Sequence, residues 1–173
     1  MRDYSTFFPT LSDDAKVWVY VASAALNDST AENLSAVLSS FGNQWSSHGR
    51  IVRSEFDLLD QQIIVLGAEV DQGGISGCGI DKSLHVLEDF ARENGFEWVS
   101  ALSIVYRDTQ DQLQVVSRPE FRNEVKQGSV TEISRVLDTS VSVLSEIREG
   151  KLEALAGASW HARVFAIPAS STV

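Results

Sequence analysis

Gln62-Ile63-Ile64-Val65-Leu66-Gly67-Ala68 is nearly all apolar and follows the imperfectly alternating Ile51-Val52-Arg53-Ser54-Glu55-Phe56-Asp57-Leu58-Leu59 after only Asp60 and Gln61. So short a connection between two strand-like segments predicts an antiparallel hairpin, and an apolar run without alternation predicts a second strand covered on both faces. Upstream, Lys16-Val17-Trp18-Val19-Tyr20-Val21-Ala22 is rich in β-branched and aromatic residues behind the turn-like Ser12-Asp13-Asp14, which predicts a first strand. Between the two lies a helical pattern: Thr30 as N-cap, then Leu34, Val37, Leu38, Phe41 and Trp45, with a stop near Gly49. His48, at its end, is expected to cap it and favour the helix dipole.

Downstream, the loop Gly73-Gly74-Ile75-Ser76-Gly77-Cys78-Gly79-Ile80-Asp81-Lys82-Ser83 leads into a second helical pattern, Ile80, Leu84, Leu87, Phe90 and Ala91, ending at Asn94-Gly95. Ser100 to Tyr106 and Leu113 to Val116 read as another hairpin across Asp108 to Asp111. The order strand, helix, strand, strand, helix, strand predicts an α+β fold, a ferredoxin-like split βαβ sandwich over 1–117. A C-terminal α/β extension, 118–173, is expected to pack on the same core, with a helix over 119–126, a strand over 135–141 and a helix over 145–155. The whole of 1–173 is then a single domain. Parallel first and third strands would bring Asn27-Asp28 beside the glycine-rich loop.

The chain has 173 residues, 43% of them hydrophobic with four Trp and eight Phe, which is enough to build a substantial core. Its formal charge of −10, from 24 acidic and 14 basic side chains, repels phosphate backbones and anionic membrane faces, so nucleic acid is a poor partner. With one cysteine, Cys78, no internal disulfide can form; the opening residues carry no signal-peptide h-region and no apolar run is long enough to span a bilayer. A cytoplasmic protein is expected.

Chemistry is expected at the glycine-rich loop, because backbone N–H groups freed at a helix start converge on an anion and Lys82 adds positive charge. Gly77, Asp81, Lys82, Ser83 and Trp160 are the candidate ligand-binding residues. The spacing is not that of a P-loop, since Ile80-Asp81 separate Gly79 from Lys82-Ser83. The structural alternative is a tight turn with Asp81 as the helix cap. Cys78, beside a helix N-terminus and Lys82, is a candidate nucleophile, with His85 or His161 as base. Asp81 and His85 are spaced as i and i+4, but no metal-ligand motif is present, and neither a metal nor a cofactor is expected. Trp18 and Trp98 read as core, and Trp160 as a docking residue for the tail, or else a stacking platform.

Phe8-Pro9-Thr10-Leu11-Ser12-Asp13-Asp14-Ala15-Lys16-Val17-Trp18, Gln44-Trp45-Ser46-Ser47-His48-Gly49, Ser76-Gly77-Cys78-Gly79-Ile80-Asp81-Lys82-Ser83 and Ser159-Trp160-His161-Ala162-Arg163 together resemble an uncharacterised family of small bacterial proteins. That family is common in Bacteroidetes and their relatives, has Ser where this chain has Gly79, and often bears the label ABC transporter ATPase. The sequence lacks the Walker A spacing, a Walker B strand and an LSGGQ-type signature, so the label brings no activity with it. The resemblance does imply that the cysteine loop and Ser159-Trp160-His161 form one site. The expectation that follows is a ligand-binding or regulatory domain for a small anionic or polar metabolite, as a homodimer across an open sheet face or edge. A Cys78-dependent enzyme and an interaction module without a ligand are the alternatives.

Overall fold

The β-branched and aromatic run forms β1 (Lys16–Val21), and Asn27 then caps α1 (Asp28–Gln44) by accepting the Thr30 N–H at 2.9 Å. The helix therefore starts before Thr30, the cap expected from the sequence. It also stops early: Trp45 turns to extended backbone, and its buried indole N–H is donated to the Gly79 carbonyl at 2.9 Å. That anchor overrides the continuing apolar period. Beyond it, β2 (Ser46–Ser47) and β3 (Arg50–Ile51) form a small hairpin around His48 and Gly49, at φ 50 and 74. His48 belongs to this turn and does not cap the helix.

The expected hairpin is present as β4 (Arg53–Leu59) and β5 (Ile63–Glu69), and Asp60 and Gln61 sit between them at φ 52 and 53. Two left-handed residues match the right-handed twist of the flanking strands. The computed structural model describes residues 2–168 and divides into two units, the first built from 6–99 with 142–145. Its sheet runs β1-β5-β4, all neighbours antiparallel. The first strand is therefore antiparallel to the third, which corrects the parallel pairing expected above: β5 folds back from β4 and enters between it and β1. The chain leaves β1 and β5 at opposite ends of the sheet, so Asn27-Asp28 is not brought beside the glycine-rich loop.

Burial on both faces of β5 explains its unbroken apolar run. Ile64, Leu66 and Ala68 meet Leu34 and Leu38 of α1 and Leu87 and Phe90 of α2 (Gly77–Asn94). On the alternate residues, Gly67 lies under Phe8 and Leu11, where an added Cβ would come within 2.7 Å of the Phe8 ring. The outer edge of β1 is covered in two pieces: Val99 N–H is donated to the Val21 carbonyl at 2.8 Å, and Val17 N–H to the Ser142 carbonyl at 3.1 Å.

In the second unit, β6 (Ile104–Arg107) and β7 (Leu113–Val116) make the other expected hairpin, followed by α3 (Arg118–Gln127). This helix has the full capping box, Ser117 with Glu120, and Gly128 at φ 78 ends it. β8 (Arg135–Leu137) is shorter than the strand expected over 135–141, because the Asp138 carboxylate accepts the Ser140 N–H at 3.0 Å and turns the chain. The helix expected over 145–155 is α4 (Leu144–Arg148), cut off by Gly150 at φ 80, and then β9 (Glu153–Leu155). A 3₁₀ turn, Ala156–Ala158, leads into α5 (Trp160–Phe165).

The second sheet runs β7-β6-β8-β9, again antiparallel. The hairpin assigned from sequence to the core over 1–117 is thus bonded, through β6, to strands from the C-terminal segment. Its core gathers Ile104, Tyr106, Phe121, Val136 and Phe165. The fold is mixed α and β with antiparallel sheets, and no helix among the described residues is long and apolar enough to cross a membrane.

Candidate functional site

The glycine-rich segment is a helix start held by serines. Ser76, not Asp81, is the N-cap of α2: its Oγ accepts the Gly79 N–H at 3.1 Å, and its own N–H is donated to Ser47 Oγ at 2.9 Å. Ser47 Oγ also lies 2.9 Å from Ser76 Oγ. Gly79 serves packing, since a Cβ there would meet Ile75 at 2.9 Å and Ser47 at 3.2 Å. Ser83 is buried and donates to the Ile80 carbonyl at 2.7 Å. Gly77, Cys78, Asp81, Lys82 and His85 are exposed along α2, with Cys78 a free thiol. The Gly79 amide and the hydroxyls of this segment are thus satisfied from within the first unit.

Trp160 and His161 present a different picture in the second unit. Ser159 caps α5, and the two rings that follow stack on each other with centroids 3.8 Å apart. His161 is fully buried, with the Phe121 and Phe165 rings 5.9 and 6.2 Å away. Burial pushes its pKa down to about 4, against a smaller opposite pull from Asp138, so the imidazole is neutral at pH 7. Ser159 Oγ lies 3.0 Å from His161 Nδ1 and 3.0 Å from the Ala156 carbonyl oxygen. Donating its one hydroxyl proton to that carbonyl makes Nδ1–H the donor to Ser159 and leaves the lone pair on Nε2. Neither Nε2 nor the Trp160 indole N–H, both buried, has a hydrogen-bond partner among the described residues. One is an acceptor and the other a donor, on rings that stack on each other.

These two rings line a cleft of about 350 Å³ with Ser103, Arg118, Asp138 and Ser140. Ala101, Ile104, Leu137 and Val164 supply its apolar wall. The volume is in the range of small-molecule sites, ~300–1,000 Å³. Asp138 spends Oδ1 on the Ser140 turn, with the Ser140 N–H at 3.0 Å. Arg118 has no ion-pair partner among the described residues. Of the residues singled out in the sequence, Trp160 and His161 line this cleft, while Cys78, Asp81, Lys82 and His85 lie on α2 of the first unit. Arg118 and Asp138 were missed. The only sequence signals they carry are the helix start at Arg118-Pro119 and the turn Asp138-Thr139-Ser140, and neither reveals that the two share a cleft.

A second cleft in this unit, about 390 Å³, contains Arg107 and Arg135, but both are already paired. Arg107 Nε lies 2.5 Å from Glu153, and Arg135 contacts Glu153 and Asp111. That network is a structural clamp between β6, β8 and β9, with its positive charge compensated. Among the described residues no group of three or more His, Cys, Asp or Glu side chains is placed to hold a metal ion. No family model, no curated protein and no solved structure matches the chain.

Proposed function

We propose that this protein is a ligand-binding or regulatory domain that holds a small polar molecule in the Trp160–His161 cleft. The observation that carries this reading is the Trp160–His161 pair, whose ring nitrogens are buried without a hydrogen-bond partner among the described residues, in the wall of a cleft that also holds a carboxylate and an unpaired guanidinium. An unsatisfied buried polar group costs about 1–3 kcal/mol. Two of them kept in one cleft wall, where apolar rings would pack as well, support a polar occupant beside them.

The glycine-rich loop remains in this reading as an element of the first unit, which we read as ferredoxin-like with its fourth strand reduced to the two short pieces along β1. The resemblance to the small bacterial family goes with it, as does cytoplasmic location, which suits an exposed free thiol at Cys78. Homodimerisation is proposed through an open sheet edge, since β4 and β7 each end a sheet. Sedimentation equilibrium tests it, and a monomer across the concentration range removes it.

The site itself is tested by screening small carboxylates, hydroxy acids, amides, polyols and amino acids against the ¹⁵N-labelled full chain. Shifts should concentrate on the Trp160 indole N–H and vanish in His161→Phe. Shifts confined to the amides of residues 77–83, or none at Trp160 with any probe, would refute the assignment.

A further inference from the structure

Resting on the cleft proposed above, we infer that its ligand class is the zwitterion: a small α-amino acid or close analogue, with its carboxylate on Arg118 and its ammonium on Asp138. The two side chains line the same cleft and carry opposite charges, yet they are not within ion-pair distance of each other. Arg118, at the exposed start of α3, presents a planar fork suited to a carboxylate. Asp138 is held by its own turn, Oδ1 accepting the Ser140 N–H and hydroxyl, which leaves Oδ2 for a cation. Two opposite charges held apart in one concavity are best matched by a molecule that carries both.

Net charge decides against the simpler alternatives. The ionised groups of the cleft sum to zero, one guanidinium and one carboxylate, because His161 is neutral at pH 7. A plain anion leaves Asp138 facing it, a plain amine leaves Arg118 facing it, and the chain's net −10 further disfavours an anion. The rings of Trp160 and His161 form part of the wall against which such a molecule would lie. The short apolar wall of Ile104, Leu137 and Val164 admits a small aliphatic side chain.

The test is isothermal titration of the full chain with the standard L-amino acids. Any binder is then compared with its decarboxylated amine and its deaminated acid; for L-valine these are isobutylamine and isovalerate. The zwitterion should bind at least tenfold more tightly than either single-charge relative. Arg118→Gln and Asp138→Asn should each weaken it about tenfold while leaving the circular dichroism and melting of the chain unchanged. If no amino acid binds but another polar probe shifts the Trp160 indole resonance, the zwitterion assignment is overturned and the cleft stands. Equal binding of the acid, insensitive to Asp138→Asn, overturns it in the same way. If neither the amino acids nor the polar probes move Trp160, both readings fall.

Discussion

His161 is the residue on which the second unit's chemistry and stability meet. Its pKa in the folded chain is about 4, whereas an unfolded histidine titrates near 6.5. Above about 6.5 the ring is neutral in both states, and its contribution to stability is fully present. Between about 6.5 and 4 the unfolded chain takes up a proton that the folded chain refuses, so stability falls as pH drops. The loss attributable to this one ring is on the order of 3 kcal/mol by pH 4, at about 1.4 kcal/mol per unit. Urea midpoints from pH 7.5 to 4.5 should show a steeper decline in the native chain than in His161→Phe; parallel profiles would mean the ring is not buried in its neutral form. Cys78 makes a simpler case. Exposed on the first turn of α2, it should react with iodoacetamide in the folded protein, and mass spectrometry showing no label until denaturation would contradict its placement.

At the scale of elements, the two hairpins and the two long helices were legible because each rests on a local signal: Asp60-Gln61 for one turn, helical spacing from Leu34 for α1, Asn94-Gly95 for the end of α2. What was not legible depended on distant partners. Trp45 leaves its helix because its indole reaches the Gly79 carbonyl, 34 residues away in sequence, and no local pattern encodes that contact. Strand direction was a different kind of miss: a helix between β1 and β4 sets them parallel, so the hairpin that follows turns β5 antiparallel to both, as chain order alone implies. The same reasoning yields two stability predictions. Gly67→Ala drives a Cβ to within 2.7 Å of the Phe8 ring on a central strand, and overpacking of this kind costs about 1–3 kcal/mol. Glu153→Ala removes the buried carboxylate that Arg107 and Arg135 share, which should destabilise by about 3 kcal/mol or more. Chemical denaturation checks both, and a change under half a kcal/mol would show that Phe8 yields or that Asp111 alone suffices for the arginines.

Over the whole molecule, composition foretold a substantial core and the order of helix and strand patterns a mixed α and β fold, but neither foretold that the apolar residues divide between two cores. The chain passes from the first unit to the second after Val99, returns for Ser142 to Ser145 and leaves again, and no composition shift, linker or glycine run marks those crossings. The candidate site shared this fate. Ser159-Trp160-His161 stood out as a cluster of unusual residues, whereas Arg118 and Asp138 join it only through β6, β8 and α3. Conversely, the glycine-rich loop drew attention by composition, and its serines turned out to be spent on structure, Ser76 on Ser47 and Ser83 on the Ile80 carbonyl.

The most direct measurement is the long-range ¹H–¹⁵N spectrum of the His161 ring at pH 7, recorded with and without the tightest-binding probe. The expected spectrum shows a neutral ring protonated at Nδ1, with a free Nε2 whose resonance moves on addition of the probe. An imidazolium, a proton on Nε2 in the free chain, or an Nε2 resonance that stays fixed while the probe binds would contradict the central claim that this neutral ring forms the wall of a ligand site.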